Sequence, residues 1–249
     1  MKVALFVPCY VDQLQPRAGL AALELLERLG VPVEVPEDQT CCGQPLANLG
    51  ARADARAVAA HFLSVFDGYD HVVCPSGSCT SMVRHHYAGL VPDGERVRRL
   101  RHSTWELCEF LVDVLGVRKV DAEFPHRVGL QPACHGLREL RLGSASELAG
   151  APFSKVRELL HSVRGLELVE PRRPDECCGF GGSFAVSEEA VSVRMGRDRL
   201  DDHEGAGAEF LVSTDVSCLL HLSGIARREG RALRTLHVAE VLLGEGWRP

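Results

Sequence analysis

Three features are missing from the 249-residue sequence, and each absence excludes a class of protein. No apolar run approaches the roughly 20 residues that a membrane-spanning helix needs, so we expect no membrane span. The net charge is −6 at pH 7, and a chain without excess positive charge is not expected to bind nucleic acid. No small-residue cleavage site follows the N-terminal stretch MKVALFVPCYV, which predicts a cytoplasmic protein rather than a secreted one.

Cysteine, by contrast, is abundant. The chain has ten cysteines, none of them in the C-x2-C spacing that zinc sites usually use. Structural disulfides are rare in the reducing cytoplasm. Ten cysteines in such a chain therefore indicate a metal site or redox chemistry rather than a disulfide framework.

The cysteines recur in an internal repeat of long period. Each half contains one cysteine, then a Cys-Cys-Gly triplet, then a last cysteine. These eight residues, called here the repeated cysteines, are Cys9, Cys41, Cys42 and Cys79 in the first half and Cys134, Cys177, Cys178 and Cys218 in the second. We interpret the chain as a duplicated domain with halves at residues 1–120 and 121–249, joined near the polar stretch 117–127.

Strand-like and helix-like patterns alternate within each half. The apolar runs KVALFVP, VPVEVP and YDHVVCP predict strands in the first half, and RVGLQPA, LELVEP and AEFLVST predict strands in the second. Near residue 104, Ser103 and Glu106 have the spacing of a capping box, which predicts the start of a helix that buries Leu107, Leu111 and Val114. The alternation predicts an α/β fold of two duplicated Rossmann-like domains, with mainly parallel sheets related by pseudo-two-fold symmetry.

The repeated cysteines all follow predicted strands and stand near the start of the next helix. The carboxyl ends of parallel strands share one edge of a sheet, where ligands collect. Free N–H groups at helix N-termini also stabilise thiolate over thiol. Each half is therefore expected to bring four sulfur atoms to one point.

Four thiolates suit either zinc or an iron–sulfur cluster. The wide spacing of the cysteines favours a cluster. So does the adjacent pair of cysteines in each half, called here the doublet, because neighbouring side chains can reach different atoms of a cluster. Gly43 and Gly179, which follow the doublets, are expected to turn sharply and to let the backbone approach the cluster closely. Zinc or another single metal ion, and a metal-free dithiol site, remain the alternatives.

Two further cysteines lie outside the repeat. Cys74 aligns with Ser213 and precedes Cys79 by five residues, so it is either a fifth sulfur of the first site or a bystander. Cys108 has the position of a core residue in an amphipathic pattern.

Other polar and glycine-rich stretches have less specific interpretations. His135 follows Cys134 and is a candidate ligand, proton carrier or, preferably, hydrogen-bond donor to the site; it is also the best candidate for a catalytic base. Residues 179–182, GFGG, lack the lysine of a phosphate loop and are interpreted as a turn covering the site. The basic run at residues 96–101 is a solvated face or a docking patch for an acidic partner.

Several of these segments, in order, resemble a known family. LFVPCYVD, PSGSCTSM, ACHGLR, CCGFGGSFAVS and SCLLHLSG are similar to signature segments of the lactate-utilisation protein A family, whose duplicated cysteine-rich CCG domain also occurs in heterodisulfide reductases and in glycolate oxidase iron–sulfur subunits. The resemblance covers essentially the whole chain. The chain has no ferredoxin part with C-x2-C-x2-C runs, which favours the lactate type over the glycolate type.

The resemblance implies an iron–sulfur redox subunit of a multi-protein system that oxidises L-lactate to pyruvate. It places the ligands of two [4Fe–4S] clusters, cubane or non-cubane, on the eight repeated cysteines. It also implies a ferredoxin-like iron–sulfur partner, a third small subunit and a small 2-hydroxy acid substrate. The alternatives are a heterodisulfide-reductase-like or glycolate-oxidase-type subunit, and a zinc-stabilised assembly protein without a redox role.

Overall fold

The computed structural model describes residues 1–92 and 94–244, and eight strands form two four-stranded sheets in this part of the chain. The first sheet has the order β2-β1-β3-β4 and the second the order β6-β5-β7-β8, and all neighbouring strands are parallel. The strands are β1 Val3–Leu5, β2 Val33–Glu34, β3 His71–Cys74, β4 Thr104–Glu106, β5 Arg127–Gln131, β6 Glu167–Val169, β7 Phe210–Ser213 and β8 Arg234–His237. The prediction of two duplicated α/β domains with parallel sheets is confirmed.

Helices connect the strands in both halves. The first half contains α1 Cys9–Leu14, α2 Pro16–Arg28, α3 Gln44–Asn48, α4 Arg52–Phe66, α5 Gly77–Ser81, α6 Glu95–Ser103 and α7 Leu107–Glu109. The second contains α8 Lys155–His161, α9 Phe184–Ser187, α10 Glu189–Gly205, α11 Val216–Arg228 and α12 Val238–Leu243. π-helical turns at Met82–His86, Phe110–Val114 and His135–Glu139, and a 3₁₀ turn at Tyr87–Gly89, complete the regular structure. Among the described residues, no helix combines the length and apolar character needed to cross a bilayer.

Helix α2 illustrates how the sequence forms these helices. It begins at Pro16, whose missing N–H costs nothing in the first helical turn. Its buried residues recur at helical spacing and include Ala18, Ala22, Leu25 and Leu26. Burial of each leucine side chain contributes roughly 1.5–3 kcal/mol, so this face fixes α2 against the sheet.

Residues 104–106 form strand β4, and the predicted capping box at this position is wrong. Ser103 ends α6, and its hydroxyl donates to the carbonyl oxygen of Leu100 at 3.2 Å. Glu106 itself caps α7 by accepting the N–H of Glu109 at 3.1 Å. Pairing with β3 outweighs the local capping pattern here. The second half has the same arrangement. The sequence does not predict strand β8, and its last residue, His237, caps α12.

One of the apolar cores is shared by the two halves. Buried side chains of β1 and α2 in the first half are continuous with those of β5, α8 and α12 in the second. Helix α12 packs on α2, and α7 packs on α8, so the last helix of each half packs against the other half. The predicted joining stretch at residues 117–127 contributes to this core, because Val120, Ala122 and Phe124 are buried in it.

The basic run at residues 96–101 belongs to α6. Arg96 and Arg99 both bind Asp67, at 3.0 and 2.5 Å. Arg101 donates to the carbonyl oxygen of Arg84 at 2.6 Å. These three arginines are thus engaged with the protein's own surface.

Candidate metal centre

One cavity of about 680 Å³ lies between the halves, and all eight repeated cysteines line it. The sequence predicts two separate four-sulfur sites. The structure places both sets on the walls of the same cavity. The reciprocal packing of the last helices brings the carboxyl edges of the two sheets to this shared space.

The positions of the cysteines follow from the parallel sheets. In the first half, Cys9 begins α1 after β1, the doublet lies between β2 and α3, and Cys79 lies in α5 after β3. The second half repeats this order, with Cys218 in α11 after β7. Because parallel strands end at one edge of a sheet, loops far apart in sequence meet there, as the sequence predicts.

The sulfur atoms of each half come together in pairs. Sγ of Cys42 lies 3.3 Å from Sγ of Cys79, and Sγ of Cys9 lies 3.6 Å from Sγ of Cys41. In the second half the shortest distance is 3.0 Å, between Cys178 and Cys218. All ten cysteines are free thiols. Within residues 1–92 and 94–244, no three cysteine, histidine or carboxylate side chains are arranged to hold a single metal ion.

Hydrogen bonds in the first half favour a thiolate at Cys41. Interactions with Cys42 and Cys9 lower the pKa of Cys41 to about 3. The backbone N–H of Gly43 adds to this by donating to Sγ of Cys41 at 3.3 Å. The pKa of Cys9 is raised, chiefly because its thiol donates to Cys41. The thiolate is the form of cysteine that binds metals.

The second half has the same hydrogen-bonding pattern. Interactions with Cys134 and Cys178 lower the pKa of Cys177 to about 2. The backbone N–H of Gly179 donates to Sγ of Cys177 at 3.4 Å. The first cysteine of each doublet is therefore the preferred thiolate of its half.

The two doublet glycines make the sharp turn that the sequence predicts, with φ of +83° at Gly43 and +90° at Gly179. Each of these glycines also faces the next helix, at different distances. A Cβ on Gly43 would lie 3.4 Å from Val58 of α4. A Cβ on Gly179 would lie 2.6 Å from the carbonyl oxygen of Ser192 and 2.7 Å from Cβ of Met195, both in α10. Close approach of α10 thus requires a glycine at position 179, whereas at position 43 the positive φ is the requirement. Close approach of this backbone to a cluster stays a prediction.

Comparison with known proteins shows the duplication and the family. Residues 3–84 and 128–223 each match the family described as CCG, cysteine-rich domain. Lactate utilization protein A of Geobacillus sp. (strain WCH70) is 38% identical over 245 residues, which cover 97% of this chain and 99% of the relative. The protein of the same name from Bacillus subtilis (strain 168) is 39% identical over 246 residues, with the same coverage.

The chain belongs to the lactate utilization protein A family. Its duplicated fold also resembles a solved structure, that of a hypothetical protein from Helicobacter pylori, with a TM-score of 0.62 and 12% sequence identity. The match covers 100% of this chain and 49% of the other, so the chain spans about half of that protein. At this identity the likeness concerns the fold alone.

In this member of the lactate utilization protein A family, the two cysteines outside the repeat are both fully buried. Cys108 lies in the shared core, as predicted. Cys74 ends β3 and packs in the apolar core of the first half, with its Sγ 3.7 Å from the carbonyl oxygen of Ser76. Burial raises the pKa of Cys74. Cys74 therefore lies behind the cavity wall. It occupies the last position of β3, which is equivalent to that of Ser213 at the end of β7.

His135 lines the cavity, as its position in the sequence suggests. Its Nε2 lies 3.4 Å from Nε2 of Gln44, which joins the two halves at the cavity wall. Phe180, Gly181 and Gly182 of the GFGG run also line the cavity. There the ring of Phe180 meets the ring of Tyr10 edge-on, at 6.1 Å between centroids. These contacts agree with the interpretation of GFGG as a covering turn.

Asp215 is a cavity residue that the sequence reasoning missed. Its Oδ2 accepts the backbone N–H of Ser78 from the other half at 2.7 Å. Its Oδ1 accepts from the backbone N–H and the hydroxyl of Ser217 at 3.2 and 2.6 Å. The sequence signal was an aspartate directly before the apolar pattern of α11, which is typical of an N-cap.

Proposed function

We propose that the chain is an iron–sulfur redox subunit of a multi-protein system that oxidises L-lactate to pyruvate. The observation that carries the proposal is the meeting of all eight repeated cysteines, as free thiols, at one cavity. The substrate is proposed from the relatives, which are named for lactate utilization. A cytoplasmic location, a ferredoxin-like iron–sulfur partner and a third small subunit are parts of the same proposal.

The residues at the cavity suit iron–sulfur clusters. Thiolates are the usual ligands of such clusters, and each half offers one sulfur with a strongly lowered pKa. The four repeated cysteines of each half would hold one [4Fe–4S] cluster, which supplies one-electron transfer when bound. The N–H groups of Gly43 and Gly179 point at sulfur atoms and stabilise their negative charge.

The side chains around the sulfurs have distinct tasks in this proposal. Phe180 and Tyr10 limit the access of water at the cavity wall. Nε2 of His135 accepts a hydrogen bond from Nε2 of Gln44, which orients the imidazole ring at the cavity wall. Asp215 fixes the helices that carry Cys79 and Cys218.

Metal content tests the ligand set. Protein purified without oxygen is expected to contain iron and acid-labile sulfide, and Cys42→Ser and Cys178→Ser should each remove about half of both. Cys108→Ser, which changes a buried cysteine outside the cavity, serves as the matched control and should keep the full content. Stoichiometric zinc without sulfide, or unchanged iron in both site variants, would contradict the proposal and favour the zinc-stabilised alternative.

Cys74 can be tested in the same way. We propose that it packs behind the wall and does not bind the cluster, because its sulfur is enclosed by the apolar core of the first half. Cys74→Ser should therefore keep its iron and sulfide. A loss as large as that of Cys42→Ser would make Cys74 a fifth sulfur of the first site.

Substrate assays separate the redox alternatives. The chain, mixed with its ferredoxin-like and third subunits under argon, is expected to lose visible absorbance when L-lactate is added. Glycolate and a mixed disulfide of two thiols are the comparison compounds. Reduction by glycolate alone, or reoxidation of the reduced protein by the disulfide with no response to L-lactate, would assign the chain to the glycolate or heterodisulfide type.

A further inference from the structure

The cysteine doublets of the two halves have different surroundings. In the first half, Phe6, Phe62 and Phe66 pack together with ring centroids 4.3 to 5.6 Å apart. All three are buried in the same apolar core as Cys42 and Cys79. The first site is therefore backed by aromatic rings.

In the second half, the equivalent positions hold Gln131, Arg199 and His203. All three side chains are fully buried. Nε of Arg199 donates to Oε1 of Gln131 at 2.8 Å, and Nη2 of Arg199 lies 2.7 Å from Nε2 of His203. A buried polar network thus replaces the aromatic packing of the first half.

The equivalence of these positions follows from the two sheets and their helices. Phe6 lies three residues after Val3, the first residue of β1 that pairs with β3. Gln131 likewise lies three residues after Val128, the first residue of β5 that pairs with β7. Gly43 faces residue 58 of α4, and Gly179 faces residue 195 of α10. One helical turn beyond these contacts lie Phe62 and Arg199, and a second turn leads to residues 66 and 203.

Arg199 carries a positive charge at this position. Burial lowers the pKa of its guanidinium, but an arginine remains protonated in proteins. His203 is neutral, because burial, aided by the adjacent Arg199, lowers its pKa to about 3. Arg199 is therefore the buried cation of this network.

The counter-ion of Arg199 is the carboxylate of Asp202. Nη1 of Arg199 is 3.1 Å from Oδ2 of Asp202. The carboxylate of Asp202 also accepts the backbone N–H groups of Arg172 and Arg173, each at 2.9 Å, and both of these residues are exposed. Asp202 shares its negative charge with these two backbone N–H groups, and 5% of its side chain is exposed against none of the Arg199 side chain.

The network reaches the loop of the second cysteine doublet through Gln131. Nε2 of Gln131 donates to the carbonyl oxygen of Glu176 at 3.0 Å, and Glu176 immediately precedes Cys177. Oε1 of the same Gln131 side chain accepts from Nε of Arg199 at 2.8 Å. One amide side chain, that of Gln131, therefore separates the guanidinium from the loop that carries the second cysteine doublet.

We propose that Arg199 makes the two cysteine sites unequal and raises the reduction potential of the second site above that of the first. A buried cation stabilises the extra negative charge that reduction adds to a thiolate-bound site, whereas aromatic surroundings do not. An electron delivered to the chain by a reductant therefore occupies the second site first. The inference rests on the proposed function, because it requires both sites to hold clusters.

A redox titration with dithionite under argon, followed by electron paramagnetic resonance, tests the order of the sites. The wild-type protein should show two reduction steps. Cys178→Ser should lose the step at higher potential, and Cys42→Ser the step at lower potential. The reverse assignment would overturn the inference even though the proposed function stood, whereas protein without iron and sulfide would fail the proposed function itself.

Variants at position 199 test the cause. Arg199→Gln should lower the reduction equilibrium constant of the second site at least about tenfold, which corresponds to about 59 mV for one electron. Arg199→Lys, which keeps the charge, should restore most of this shift. Phe62→Leu, at the equivalent uncharged position, is the matched control and should shift neither step. An Arg199→Gln protein with wild-type iron content and an unshifted step at higher potential would overturn the role of Arg199. If that variant does not fold, the order of reduction found with Cys178→Ser and Cys42→Ser still decides whether the second site is reduced first.

Discussion

Ser76 and Asp215 occupy equivalent positions in the two halves and bind to each other, with the hydroxyl of Ser76 donating to Oδ2 of Asp215 at 3.3 Å. Each caps the helix that carries the last cysteine of its half. Ser76 accepts the N–H of Cys79 at 3.3 Å, and Asp215 accepts the N–H of Ser217 at 3.2 Å. Both side chains are buried. The placement of Cys79 in one half is therefore tied to that of Cys218 in the other.

Removal of the Asp215 carboxylate should affect both halves at once. Asp215→Ala leaves the buried N–H of Ser78 without its acceptor and removes the cap of α11, so we expect a loss of about 2 kcal/mol or more in unfolding free energy. Iron content should fall in both sites. Urea unfolding and metal analysis are the measurements, and Ser217→Ala, which removes one hydroxyl donor, is the milder control. An Asp215→Ala protein as stable as wild type would show that the cap is dispensable.

The two doublet glycines should differ in their tolerance of alanine. Gly179→Ala forces a Cβ to 2.6 Å from the carbonyl oxygen of Ser192, whereas Gly43→Ala meets Val58 at an ordinary contact distance of 3.4 Å. Both variants carry the strain of a positive φ, roughly 1–2 kcal/mol. Gly179→Ala should therefore be clearly less stable and should lose iron from the second site. Thermal unfolding compares the pair, and equal destabilisation would place the cause in the backbone strain alone.

Glu106 should make the folded state less stable as the pH rises from about 4.5 to about 8. Its side chain is fully buried, and burial raises its pKa from the ordinary 4.5 to about 8. Between these values the unfolded chain releases a proton that the folded protein keeps, so stability falls as the pH rises. The glutamine of Glu106→Gln does not titrate. The unfolding free energy of this variant should therefore rise relative to that of wild type by up to about 1.4 kcal/mol per pH unit across this range. Urea unfolding at pH 5 and pH 8 measures the gain; a difference between the two proteins that is independent of pH would refute it.

His203 should act in the opposite direction, at acidic pH. Its folded pKa of about 3 lies below the ordinary 6.5 because the ring is buried beside Arg199. Between these values the unfolded chain binds a proton that the folded protein excludes. Stability should therefore decline as the pH falls below about 6.5, by up to about 1.4 kcal/mol per unit. His203→Gln should flatten this part of the unfolding curve, and an unchanged acid slope would assign it to other groups.

Some features of the protein are readable from short stretches of sequence. The parallel strands follow from apolar runs such as VALF, and the repeated cysteines from their equal order in both halves. The placement of Cys9 and Cys79 near one another was also predictable, because parallel strands end at a common edge. Strand β4 was not, since three residues have no periodicity of their own and form a strand only through pairing with β3.

The sequence by itself determined the duplicated α/β fold, the eight sulfur positions and the burial of Cys108, because each depends on local periodicity or on strand order. Only the tertiary structure decided that the two sets of sulfurs share one cavity, since this depends on how α12 packs on α2 across the halves. It also decided that Gly179 makes room for α10, and that Arg199 lies where the first half has Phe62. These are contacts between residues distant in sequence, and chain packing alone brings them together.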